Sequence, residues 1–127
     1  MKKLFGLMAI AIVAFAFSAC GSKNDSPEAV VDGYLKCMQK MNFDGFKDVV
    51  YFETEEEQEQ VIQAFKEKAA NEEFRQYMKI DSYEIGEVEM AEDGQSARVN
   101  YVIKKGEEKQ DGKQKVILVD GKWYVKM

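Results

Sequence analysis

Histidine is absent from all 127 residues. That excludes Ser/His and Cys/His nucleophile pairs, and every metal site that depends on an imidazole. Proline occurs once, and 46% of the residues are hydrophobic against 32% charged. This composition fits one globular domain and excludes a disordered chain. No internal repeat is present. The basic count is also low. Without the two lysines of the first 19 residues, 16 basic side chains face 23 acidic ones, a net charge of −7. So acidic a chain repels phosphate backbones, which excludes nucleic acid as the expected partner.

The N-terminus carries the clearest signal. Lys2 and Lys3 precede an apolar stretch from Leu4 to Phe17, 14 residues long, and the small residues Ser18 and Ala19 follow. This is the pattern of an export leader. The stretch falls short of the roughly 20 residues that span a bilayer, so a permanent transmembrane helix is not expected. The run Phe17-Ser18-Ala19-Cys20 resembles the lipobox of bacterial lipoproteins, with Phe17 where Leu is usual. The resemblance implies cleavage before Cys20 and acylation of its sulfur. Two or three acyl chains hold a protein stably on a bilayer, at about 0.8 kcal/mol per buried methylene. The other reading is an ordinary secretory leader beside an incidental cysteine. Gly21 after the cysteine resembles lipoproteins sorted to the outer membrane. The expected organisation is a leader over 1–19, the lipidated Cys20 with a polar tether to Ser26, and one domain over 27–127.

Helical signals come first in that domain. Ser26-Pro27 is a strong start, with a hydroxyl cap, proline at the first position and Glu28 matched to the helix dipole. Val30, Tyr34, Cys37, Met38 and Met41 recur at helical spacing, and Val31 and Leu35 widen the stripe. Asn42 is placed to cap a short second helix. Thr54 and Glu57 form a capping box for a third, in which Val61, Ile62, Phe65 and Ala69 share a face. The period then changes to two. Tyr83 and Ile85 are odd, whereas Val88 and Met90 are even; this parity switch across Gly86-Glu87 predicts a β-bulge. Asp93-Gly94 marks a turn. Ala97, Val99, Tyr101 and Ile103 alternate with polar residues, Lys105 to Lys113 reads as a polar loop, and Val116 to Val119 suits a central strand. Asp120-Gly121 predicts a two-residue hairpin into a last strand carrying Trp123, Val125 and Met127.

Three helices followed by a bent four-stranded antiparallel meander make an α+β domain. Ser26-Pro27-Glu28-Ala29-Val30-Val31, Asn42-Phe43-Asp44-Gly45-Phe46 and Asp120-Gly121-Lys122-Trp123-Tyr124-Val125 resemble a domain-of-unknown-function family of small bacterial lipoproteins. That family belongs to the nuclear transport factor 2-like (cystatin-like) superfamily. The resemblance implies a cone-like fold, with a curved sheet wrapped on the helices around a pocket. It implies no reaction, because such folds host binders and enzymes alike.

Candidate chemistry is sparse. The acidic run Glu53, Glu55, Glu56, Glu57 and Glu59 holds no glycine for a calcium loop and reads as a solvated helix start. Cys37 lies within an apolar arc, where it reads as a small core residue rather than a reactive thiol. An isomerase-like site would pair a carboxylate with a tyrosine. Asp32, Asp44 and Asp48 are available for it, with Tyr34, Tyr51, Tyr77, Tyr83 and Tyr101, but their spacing shows no convergent pair. Neither a catalytic set, a metal site nor a cofactor site is expected. Tyr34, Met38, Met41, Tyr83, Met90, Tyr101 and Trp123 are the candidate lining of an adaptable apolar pocket, or else plain core. The expected protein is a non-catalytic lipoprotein tethered to a bacterial envelope membrane, the outer membrane by its Gly21. It would bind a small apolar ligand or an envelope protein. The alternatives are a small carboxylate/tyrosine enzyme and a structural module with a filled interior.

Overall fold

A computed structural model describes residues 24–127. The leader and Cys20 lie outside the described residues. Helix α1 spans Pro27–Lys40, as the Ser26-Pro27 start predicts, and the Ser26 hydroxyl accepts from the Ala29 N–H at 3.1 Å. It ends in a Schellman arrangement. Asn42 N–H reaches the Cys37 carbonyl and Met41 N–H the Met38 carbonyl, with Met41 in the left-handed region at φ 56°. A 3₁₀ turn, Phe43–Gly45, leads into the short α2, Phe46–Val49. Asn42 stands at the cap position there but makes no side-chain capping bond. Helix α3 spans Glu55–Lys68, and the Thr54 hydroxyl accepts from Glu57 N–H at 3.0 Å.

A fourth helix corrects the expectation of three. Helix α4 spans Glu72–Met78 and is capped by Asn71, whose Oδ1 accepts from Glu73 and Phe74 N–H. It has no buried residue. Hydrophobic periodicity, which reports a buried face, therefore has nothing to register here.

The sheet contains β1 (Ser82–Met90), β2 (Ser96–Lys105), β3 (Glu108–Val119) and β4 (Lys122–Val125), in that order and antiparallel throughout. The bulge falls where parity placed it. Ile85 faces Tyr101 and Val88 faces Val99, so Gly86 and Glu87 together oppose Asn100. A Cβ on Gly86 would stand 3.3 Å from the Asn100 carbonyl oxygen. Asp120 and Gly121 both have positive φ, as a type I′ hairpin requires.

The expected polar loop from Lys105 to Lys113 is strand. β3 begins at Glu108, and only Gly106 and Glu107 turn between paired Lys105 and Glu108. Gly106, at φ 61°, supplies the hairpin turn. Polar residues read as loop because neither face of this outer end is buried. The curled cone is corrected too: the sheet is open, neither closed nor curled. Its one register shift lies in the edge strand β1, while the β2–β3 and β3–β4 ladders run unbroken. One edge bulge bends its own strand and leaves the other three without a device for closure.

The core lies between α1 and one face of the sheet. Val30, Val31 and Leu35 of α1 are fully enclosed with Val99, Val116 and Val125 of the strands. Phe43, Phe46, Phe65 and Tyr34 form a ring cluster with centroids 5.2–5.6 Å apart. Such pairs contribute roughly 0.5–1.5 kcal/mol each beyond the area they bury. Trp123 is 7% exposed within this core, so Trp123→Ala is expected to lower stability by about 3–5 kcal/mol. Thermal or urea unfolding measures it, and an unchanged transition contradicts the packing described.

Candidate functional site

The seven candidate pocket residues do not behave alike. Tyr34, Met38, Met41, Tyr83 and Tyr101 are half-buried and pack against the core cluster, and Trp123 belongs to that cluster. Met90 is the exception: at the end of β1 it is 38% exposed and lies outside the cluster, although parity turns it inward. The helical layer does not reach that corner, so inward direction does not become burial. Tyr101 lies over Gly112, its partner on β3: a Cβ there would collide with the Tyr101 ring, so the ring lies where that side chain would stand.

Asp32 and Tyr83 are brought together, which sequence spacing gave no sign of. The Tyr83 hydroxyl donates to Asp32 Oδ1 at 2.9 Å and lies 3.2 Å from the Asp32 carbonyl oxygen. Burial, then the Asp32 carboxylate, push the Tyr83 hydroxyl above the ordinary phenol range. Burial also raises Tyr34, to about 12. Both tyrosines therefore stay protonated at neutral pH. The Asp32 side chain is 42% exposed and 3.9 Å from Lys36. The pair joins α1 to β1 at the protein surface.

Four open grooves run along the described residues, and neither Asp32 nor Tyr83 lines any of these four. One, about 670 Å³, lies between α3 and α4 beside Phe74 and Tyr77. Another, about 550 Å³, follows the bulge at Gly86 past Tyr101 to Lys113. The acidic run sits on the exposed start of α3, as read from sequence. Cys37 is half-buried against the core, and its sulfur lies 2.6 Å from where a Gly45 Cβ would be. Among the described residues no cluster of three or more Cys, Asp or Glu could hold a metal, and no helix is long and apolar enough to cross a membrane.

Glu28 escaped sequence reasoning as anything but a dipole partner. It lies three residues before Val31 and seven before Leu35, so the helical repeat places it on the buried face. That spacing was the available signal. Glu28 is 5% exposed, and its Oε1 has no hydrogen-bond partner. Desolvation raises its pKa from 4.5 to about 7, opposed by a hydrogen bond from its own backbone N–H.

Compared with protein-family models, curated proteins and solved structures, the chain matches none.

Two outcomes follow, one from Glu28 and one from Tyr83. Between pH 4.5 and 7 the folded chain keeps a proton on Glu28 that the unfolded chain has lost. Stability therefore falls as pH rises through that window. Glu28→Gln is expected to flatten that slope and melt above wild type at pH 8; parallel pH profiles would refute the assignment. Tyr83→Phe removes one surface-facing hydrogen bond and should cost about 1 kcal/mol in urea unfolding. A loss several times larger would mean that the pair is buried more deeply than described.

Proposed function

We propose that this protein is a lipid-anchored lipoprotein of a bacterial envelope membrane, the outer membrane on its Gly21, whose domain binds rather than catalyses. The carrying observation is Cys20 directly behind a short apolar leader and Ser18-Ala19. The polar tether Gly21 to Ser26 gives an acylated cysteine a short lead into α1. Kinship with the nuclear transport factor 2-like lipoproteins belongs to this proposal, supported by the order of helices followed by an antiparallel meander.

Binding is favoured over catalysis by how the interior is used. The ring cluster of Phe43, Phe46, Phe65 and Tyr34 fills the space between helices and sheet. The pair Tyr83 with Asp32 lies at the surface and outside the four grooves. An acid–base site needs both groups beside an enclosed space that holds substrate. A ligand or envelope protein would instead be met on the outside of the domain, at surfaces the core does not use.

Cys20→Ser is the direct test. Expressed in a bacterium, wild-type protein should partition into the detergent phase and incorporate labelled fatty acid. The variant should incorporate none and keep its leader. Equal incorporation by the two, or a wild-type chain recovered without acyl groups, would defeat the proposal.

A further inference from the structure

The helices cover one face of the sheet and leave the other to solvent. Strand alternation and the ladder register identify its residues. With Val99, Val116, Trp123 and Val125 facing inward, Arg98 of β2, Lys113 and Lys115 of β3, and Lys122 of β4 face outward, all exposed. Lys126 N–H continues the row by bonding the Lys115 carbonyl at 3.0 Å. The Lys126 ammonium lies 5.2 Å from the Tyr51 ring centroid. Arg98 and Lys115 stand directly opposite each other on neighbouring strands. On its other side Arg98 faces Glu89 of β1, whose carboxyl feels the Arg98 charge, so the like-charge neighbours Arg98 and Lys115 are only partly offset.

Carboxylates offset this stripe mainly at its β1 side and its ends, and Glu53 and Glu55 line the groove beside Val119 and Tyr124. Glu89 pairs with Lys113 at 3.2 Å, Glu84 and Asp111 flank Val102 towards the far end, and Asp120 lies in the final turn. Among the described residues no ion pair involves Arg98, Lys115 or Lys122. Ile117, Val119 and Tyr124 lie among the cations, half-buried. Acidic residues crowd the helical layer instead, at Glu55, Glu56, Glu57, Glu59, Glu72 and Glu73. The helical layer also carries Lys36, Lys40, Lys47, Lys66, Lys68 and Arg75, whereas at the β3–β4 end of the outer sheet face Arg98, Lys115, Lys122 and Lys126 stand close together.

The tether arrives at the edge of this face, between β4 and the helical layer. Asn24 accepts from Trp123 N–H at 2.9 Å, and its side-chain amide donates to the Trp123 carbonyl at 2.8 Å and the Asp48 carbonyl at 2.9 Å. Asn24 is thereby fastened to β4, between the outward Lys122 and Tyr124. Cys20 lies four positions before it, a reach of at most ~14 Å. An acyl group on Cys20 would therefore keep Asn24 and the β4 edge under two Debye lengths from the headgroups.

We infer that the outer face of the sheet, centred on Arg98, Lys115 and Lys122, docks on the anionic headgroups of the membrane that holds the anchor. The inference rests on the anchoring proposed above. Lysine stems and Tyr124 would lie along the headgroup layer with their polar tips in water, and the acidic helical layer would face away from the membrane.

The test uses the full chain, lipidated and reconstituted on phosphatidylcholine vesicles with or without phosphatidylglycerol. Lysine acetylation is read residue by residue by mass spectrometry. Labelling of Lys115 and Lys122 should fall several-fold on anionic vesicles and recover in high salt, with Lys66 and Lys68 of α3 unchanged. In the same lipidated chain, the combined Arg98→Glu, Lys115→Glu and Lys122→Glu variant should lose the several-fold protection of Lys126 that anionic vesicles give wild type. Its melting transition reports that it remains folded. Equal labelling on both vesicles, or unchanged protection in the folded variant, overturns the inference. Protection by a dissolved acidic polymer but not by anionic vesicles also overturns it. A bare Cys20 in wild-type protein defeats the anchoring with the docking, whereas a lipidated chain labelled uniformly defeats the docking alone.

Discussion

The structure depends on one helix lying across one face of one sheet. α1 touches all four strands, and Val30, Val31 and Leu35 are closed off against Val99, Val116 and Val125. A four-stranded meander cannot bury a face by itself, so this contact keeps its inward residues dry. The remaining helices depend on it in turn. α2 and α3 reach the core through Phe46, Phe65 and Ile62, which gather around Tyr34 of α1. α4 has no buried residue and is held locally, by the Asn71 cap and by the bond from Lys105 Nζ to the Tyr77 carbonyl.

The same contact determines what lies outside. Because α1 starts at Pro27, the chain before it is fastened along β4 by Asn24, beside the face the helices leave bare. The sheet therefore has a dry apolar side and a wet cationic side, and the incoming chain meets the boundary between them. Glu28 marks the cost of the arrangement at its first turn. It occupies a position of the buried face, where its carboxyl gains little beyond its own backbone N–H. A carboxyl held so dry favours its neutral form and makes the seam softer as pH rises.

Much of this was legible in the residues. Local rules carried the caps at Ser26 and Thr54, the turn at Asp120-Gly121 and the bulge at Gly86-Glu87, since each is decided by neighbours in the chain. The reading failed where no buried face exists to impose a period. α4 and the outer end of β3 are regular structure without burial, so pattern arguments passed over them. Curvature was over-read from one bulge in an edge strand. The Asp32–Tyr83 contact joins residues 51 apart in sequence, a separation that spacing on a single helix cannot reveal. Met90 failed for a related reason: parity gives direction, but only tertiary cover gives burial.

The central claim is chemical. In the proposed reading the chain is held on a membrane through the sulfur of Cys20, and Asn24 fastens the chain just behind it to the edge of the sheet. The most direct measurement is the intact mass of the protein extracted in detergent from a bacterial envelope. The account predicts a chain beginning at Cys20 and carrying the added mass of two or three fatty acyl groups. A chain that begins at Met1, or one cut elsewhere with Cys20 unmodified, would contradict it.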